Sequence, residues 1–501
     1  MAYYPQAEFF EVDRSQYFTG PGGLSIGIVG AARKGEVGSI ISVSNVNDLI
    51  EKLGPPLGNA WHAARAFLTQ GSIVRFVRVS DGTEASASVT ASVTGGTGPT
   101  FTASSPGTWA NMQLRLEMKN ASSGSSKRRL EVWLDGYMVE EYDEVDKDSD
   151  ADWATKVSNS SYITATNGTS GGDVSAPQTL TPSGGADGTS SLTPSDYIGS
   201  TGATKTGLRI LEPQGSADIG FLLCPDNTAL HKDVWNQMVS IAESRGDVIA
   251  LLDPPDNLTP TQVVDWSNGT LSGSKNPTSK INTDRAAAFY PWVKTYDPYN
   301  NTSVWIPPSG PVAAVHAKND EQNELWYAAA GKTNGNLYPL ITDVRCVPTP
   351  GELGYMCSDA TDNAVNPIMM KGGDLYILHQ KTLLRNGTSP MTRISVRRML
   401  DYIESRVARV AREVHYDPLD EIAMDKLERL TEPIFRYVKS RRGLNAYNIV
   451  CDTSVNLPAT LDQSQLIAYF YLIPTLPAEK IQIKAIITAQ GVEFSEITGT
   501  L

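Results

Sequence analysis

Residues 25–56 read SIGIVGAARKGEVGSIISVSNVNDLIEKLGPP, and they set the fold class. The apolar run at the start, LSIGIVGAA from Leu24, predicts a buried strand. The text from Ser44 to Gly54 predicts a helix. Next come GNAWHAARAFLTQG (58–71), a second helix, and SIVRFVRVS (72–80), a strand dominated by β-branched residues. The same order resumes at GLRILEPQGSADIGFLLCPD (207–226), with a helix in 227–246 and the strand DVIALLDPP (247–255). Helix–strand alternation of this kind implies a mostly parallel sheet with helices packed on it.

Between these blocks the composition changes. Residues 83–205 are rich in Ser, Thr and Gly, with short alternating strands in LRLEMKN and RRLEVWLDGYMVEEY. They predict a β-rich peripheral inserted domain. Residues 256–380 read as loop-rich text with several aromatics. The remainder opens with an Arg-rich helix. A second helix over 418–440 follows, then the strands LNAYNIVCDT and SQLIAYFYLIPT and a last strand EKIQIKAIITAQ. The expected organisation is multidomain, α+β with α/β character, mixed sheets and helices, and an extended arm at each end. Its parts are an N-terminal arm (1–20), an α/β middle domain (21–82 with 206–370), the insertion (83–205), a C-terminal α+β domain (371–490) and a tail (491–501).

The totals exclude several classes. In 501 residues the formal net charge is -13, with 40% hydrophobic and 19% charged residues, ordinary for a folded chain. An acidic balance argues against direct nucleic-acid binding, which needs a basic face. No run approaches eighteen apolar residues, so no membrane insertion is expected. The first fifteen residues lack the basic and apolar regions of a secretory signal. Cys224 and Cys451 lie in apolar strand text and read as inert thiols. Cys346 and Cys357 flank the turn-rich CVPTPGELGYMC and are the candidates for a cross-link, although reduced thiols are the default for a chain folded in cytoplasm.

Catalytic patterns do not hold up. Gly23–Gly27 fits G-x-S-x-G, but a nucleophile elbow needs a strand before the Ser and a helix after it, and here the order is reversed. Gly30–Val37 imitates a phosphate loop, yet Glu36 stands where the chemistry needs Lys and Ser or Thr. Asp253 and Asp256 pair two carboxylates at a strand end without a partner base or metal ligand nearby in sequence. The five His are scattered at 62, 231, 316, 379 and 415. No catalytic residue, cofactor-binding residue or metal ligand is expected, and no cofactor.

RISVRRMLDYIESRVARVARE (393–413) is different: six arginines face only Asp401, Glu404 and Glu413. At about 100° per residue, Val396, Met399, Leu400, Ile403, Val407, Val410 and Val414 share a stripe. Arg398, Arg409 and Arg412 fall opposite it, with Arg406 at its border. Lys439, Arg441 and Arg442 add cations after the next helix. A basic patch on an acidic chain suggests a negatively charged partner; a solvated face is the plainer reading.

These C-terminal segments resemble the tail sheath proteins of contractile-tailed bacteriophages. The resemblance rests on the Arg393–Arg398 helix start, the Val450–Asn456 strand end, and the closing Gly491, Phe494 and Glu496. Residues 1–80 and roughly 205–501 are similar to that family; Ser395 and Val37 replace the Asn and Pro common there, and 83–205 matches nothing in it. The resemblance implies a helical homo-oligomer of stacked sixfold rings around an inner tail tube protein, with baseplate and tail terminator proteins as further partners. It implies no enzyme activity, a place in the virion tail, and assembly in the host bacterial cytoplasm. An innermost C-terminal domain would turn Arg393, Arg397, Arg398, Arg406, Arg409, Arg412, Lys439, Arg441 and Arg442 toward the tube. Strand exchange between subunits would use Glu8, Phe9, Phe10, Glu11 and Val12 of one arm and Ile481, Ile483, Ala485 and Ile487 of the other, on edges in 444–453 and 465–473. Competing readings are the sheath of a related contractile injection machine, an α/β enzyme with a β-rich insertion, and a secreted surface-array protein.

Overall fold

The computed structural model describes residues 23–479, except 170, 203, 274–275, 278, 358–361 and 458–462. The expected arm residues Glu8–Val12 and Ile481, Ile483, Ala485 and Ile487 lie outside this range.

An eight-stranded sheet forms the centre. In chain order its strands are β1 (Ser25–Gly30), β2 (Ile40–Val43), β3 (Ile73–Arg78), β4 (Phe221–Leu223), β5 (Ile249–Leu252), β6 (Ala286–Tyr290), β7 (Val365–Lys371) and β8 (Asp374–Ile377). Their spatial order is β8-β7-β6-β5-β4-β1-β3-β2. The inner strands run parallel, and β2 and β8 close the two edges antiparallel. The helices that bear on it are α1 (Val46–Leu53), α2 (Gly58–Leu68), α3 (Lys232–Arg245), α4 (Pro260–Ser267) and α5 (Ser309–Gln322).

Parallel strands are covered on both faces, which is why they read as continuous apolar runs. Ile26, Ile28, Phe221 and Leu223 point into one layer with Trp61 and Phe67 of α2 and Val312 and Val315 of α5. Val29, Leu222, Ala250 and Leu252 point the other way, onto Trp235 and Met238 of α3 and Trp266 of α4. Helices α2 and α5 cross closely because Gly310 lies against Ala63: a Cβ at Gly310 would come within 2.5 Å of the Ala63 Cα.

The text read as loop between 256 and 380 is largely regular. It contains α4, β6, α5, β7 and β8, and a second small sheet of Val293–Asp297, Thr302–Ile306 and Asp343–Val344. The central sheet also runs on to Ile377, past residue 370, because Lys371 pairs with Asp374 across the β7–β8 hairpin.

Within the insertion, two antiparallel sheets of three and four strands enclose a separate core around Phe101, Trp109, Trp153, Leu116 and Val132. Its RRLEVWLDGYMVEEY text is a hairpin rather than one strand, turning at Asp135 and Gly136, whose φ angles are 48° and 84°. Buried Arg78 fastens the insertion to the sheet. Its guanidinium donates to the carbonyl oxygens of Gly35, Pro106 and Asp187, and the Lys34 ammonium sits 4.2 Å from the Trp109 ring centroid.

The C-terminal unit is an antiparallel helical pair, α6 (Ile394–Val414) and α7 (Glu421–Ser440), followed by a two-stranded antiparallel sheet, β9 (Leu444–Val450) and β10 (Tyr469–Pro474). Val396, Met399, Tyr402 and Ile403 pack on Phe435 and Val438, and beyond them Tyr447, Ile449, Phe470 and Leu472 complete the layer.

Candidate functional site

The sequence singles out the Arg-rich helix, and the structure divides its arginines into two groups. Residues Ile394 to Met399 are buried on every side of α6, because the first turns are wedged between α7 and the central sheet. Leu400 and Asp401 are partly exposed, and fully exposed positions begin at Glu404.

Arg398 therefore does not belong to an exposed cationic face. Its Nη1 donates to Asp320 Oδ1 of α5 at 2.8 Å, its Nη2 to the other carboxylate oxygen, and its guanidinium carbon lies 5.2 Å from the Phe221 ring centroid. His316 touches the same guanidinium, Nδ1 to Nη1 at 3.5 Å. Burial first, then the Arg398 charge, depresses the His316 pKa well below its usual value, so the ring is neutral and Nδ1 accepts.

Arg397 is likewise committed. It reaches Asp284 at 3.2 Å, Asp401 at 2.8 Å and Glu404 at 2.9 Å, and Arg285 shares Asp401 at 2.5 Å. Desolvation lowers the Arg397 pKa and these carboxylates outweigh it, so the group stays charged. Arg393 makes a two-pronged pair with Glu479, at 3.0 and 2.7 Å. The tube-facing expectation for Arg397 and Arg398 is thus corrected: an amphipathic stripe cannot reveal that a second element covers the opposite face. Arg393 is half-buried and likewise turned to an internal carboxylate.

The remaining cations are at the surface. Arg409 and Arg412 are exposed on the last turns of α6, whereas Arg406 lies over the Tyr402 ring at 5.2 Å. Lys439, Arg441 and Arg442 are exposed at the end of α7. Because the helices run antiparallel, these two groups stand at opposite ends of a hairpin about 30 Å long. They are two small patches instead of one. Near the first, Tyr416 is 93% exposed and Ile422 73%, so the hairpin tip is both cationic and apolar.

The β9–β10 sheet is the second notable surface. Phe470 and Leu472 face the helices. On the other side Tyr469, Tyr471 and Ile473 are all more than half exposed. Among the described residues neither strand pairs with a third, so both edges offer unpaired backbone groups.

Other sequence candidates resolve into structural roles. Cys346 and Cys357 are both partly buried, and Cys357 Sγ donates to the Val365 carbonyl oxygen at 2.9 Å. Asp253 accepts from Ser309 N and Oγ at the start of α5, and Asp256 pairs with Arg345. Ser25 belongs to β1, and Glu36 to the loop between β1 and β2.

Asp226 carried no sequence signal. It lies beyond the carboxyl end of β4, beside β1, where strand order reverses and open α/β sheets hold ligands. Its carboxylate accepts from Ala31 N at 2.8 Å and from Ala60 N, in the first turn of α2, at 2.9 Å. The N–H groups that would face a bound anion there are taken by the protein itself. Among the described residues no cluster of His, Cys, Asp and Glu has metal-site geometry, and no helix is long and apolar enough to cross a membrane.

No protein-family model matches the chain. It is 26% identical over 275 residues to the tail sheath protein of Enterobacteria phage T4, covering 53% of this chain and 41% of that one. The chain therefore spans less than half the length of that relative. A crystal structure of a sheath tail protein from Desulfitobacterium hafniense matches with a TM-score of 0.62 at 13% identity, covering 93% of this chain and all of the other. The sheath of an extracellular contractile injection system, in its contracted state, matches with a TM-score of 0.56 at 13% identity, over 98% of this chain and 99% of the other.

Proposed function

We infer, from membership in the contractile tail sheath family that this sequence likeness and shared fold support, that the chain is the structural subunit of a contractile phage tail sheath. It polymerises as a helix of stacked sixfold rings around an inner tail tube, joined to baseplate and tail terminator proteins. Subunit rearrangement then drives the tube through the host envelope. The virion tail is its place of action, host cytoplasm its place of assembly, and it catalyses no reaction.

The observation that carries this reading is the β9–β10 sheet, a two-stranded element with both edges unpaired among the described residues and an apolar outer face. Two strands alone are marginally stable, and such edges are normally covered. Added strands from neighbouring subunits would complete it through main-chain hydrogen bonds. A head-to-tail contact of this type does not close on itself and so generates a filament. Residues 8–12 and 480–488 are the proposed donors.

For the tube contact we propose the hairpin tip with Arg409 and Arg412, with Lys439, Arg441 and Arg442 as a second cationic point. Exposed pairs contribute about 0.2–1 kcal/mol each, weak enough to align a tube and then release it.

The structural likeness to an injection-system sheath, over nearly the whole chain, favours one alternative: the same role in a non-phage contractile machine. Deleting residues 480–501 tests the assembly mechanism. The truncated chain is expected to stay folded and form no tubes; tubes of normal length from it would refute strand donation.

A further inference from the structure

Arg393 occupies a position that helix physics disfavours. It is the N-cap of α6, with φ -110° and ψ 128°, and its side chain makes no capping hydrogen bond. Ser, Thr, Asp and Asn are the residues that satisfy the free N–H groups there, and a cation at the positive end of a long helix is unfavourable. Glu479 offsets this by holding the guanidinium in a bidentate pair, with Thr392 Oγ1 accepting from Nη1 at 2.7 Å. The Arg393 backbone also forms an isolated antiparallel bridge with Lys381, in the segment that follows the β7–β8 hairpin.

Glu479 lies five residues past the end of β10. That is enough chain for a tight reversal along the free edge of β10. The chain instead begins with Thr475 N donating to the Gly443 carbonyl oxygen, and then reaches Arg393. It is thus fixed to the helix start just before the twenty-two residues 480–501.

We propose that the Arg393–Glu479 pair is the anchor of the chain after β10: it fastens Glu479 to the start of α6 and so fixes the place in the fold to which residues 480–501 are joined. A bidentate guanidinium–carboxylate pair fixes orientation as well as distance, and a fixed root reduces the ordering cost of docking the segment on a neighbour. Arg393 is a positioning residue, and its consequence for assembly rests on the sheath reading given above.

Two measurements test this. The first needs no assembly: trypsin cleavage after Lys480 in the free full-length chain. Arg393→Glu and Glu479→Gln should each speed that cut about tenfold or more while the melting temperature stays within about 3 °C of wild type. Unchanged cleavage in both folded variants overturns the anchor. The second is tube formation with the inner tube protein. Arg393→Glu and Glu479→Arg should each lose ordered tubes, and the double exchange should restore them. Normal tubes from both single variants, or no restoration by the exchange, also overturn the proposal. A wild-type chain that forms no tubes in the same mixture contradicts the sheath reading instead, and the protease result then decides the anchor alone.

Discussion

Arg398 of α6 and Asp320 of α5 face each other across the seam between the helical unit and the central sheet, Nη1 2.8 Å from Oδ1, with both side chains nearly out of solvent. A buried pair of this kind gives little net stability over an apolar pair, but removing one partner strands the other charge. Arg398→Met or Asp320→Ala should each cost about 3–5 kcal/mol. The double variant Arg398→Met/Asp320→Leu should cost much less than their sum. Equilibrium urea unfolding measures all three, and additive costs would contradict the pairing.

Arg409 and Arg412 give the opposite result. Both are exposed, and surface changes of this kind stay within about 0.5 kcal/mol. Arg409→Glu/Arg412→Glu should melt like wild type yet fail to assemble around the inner tube protein. Normal tubes would remove the hairpin tip from the contact. Including Arg398 in that charge reversal would confound it, since that variant is expected to unfold.

Asp253 should subtract stability as pH rises through the weakly acidic range, opposite in sign to the buried, neutral His316. Burial raises the Asp253 pKa to about 7, against the lowering effect of Ser309. The folded state therefore holds a proton between about pH 4 and 7 that the unfolded state has lost, so this carboxyl destabilises the fold progressively up to its folded pKa. Asp253→Asn keeps an acceptor for the Ser309 N–H and cannot ionise. Between pH 5 and pH 8 the melting temperature of the variant should fall less, or rise more, than that of wild type, and equal changes would contradict the assignment.

Asp226 is predicted to hold the strand-reversal point closed. Asp226→Ala leaves the Ala31 and Ala60 N–H groups without their acceptor, a cost of about 1–3 kcal/mol for a buried unsatisfied donor. A denaturation midpoint equal to wild type would show that the carboxylate is dispensable.

What could be read from sequence follows from periodicity. Strands β1, β4 and β5 are short apolar runs buried on both faces, and β3 is marked by its β-branched residues, so they were legible. Helix α5 was not: ten of its residues are buried, so it shows no polar face, and Gly310 and Pro311 read as breakers. In fact Pro311 sits in the first turn, where its missing N–H costs nothing, and Gly310 makes room for Ala63. Alanine-rich β6 carries too little β-branched character to announce itself. The arginine helix shows the same limit. Its apolar stripe was correct, but which cations stay free depends on Asp320, Asp284 and Glu479, distant in sequence and brought close only by the fold.

Negative-stain electron microscopy of the purified chain, alone and mixed with the inner tube protein, tests the central claim most directly. The account predicts long tubes or stacked rings, at the latest when the tube protein is added. Uniform single particles in both samples would contradict it.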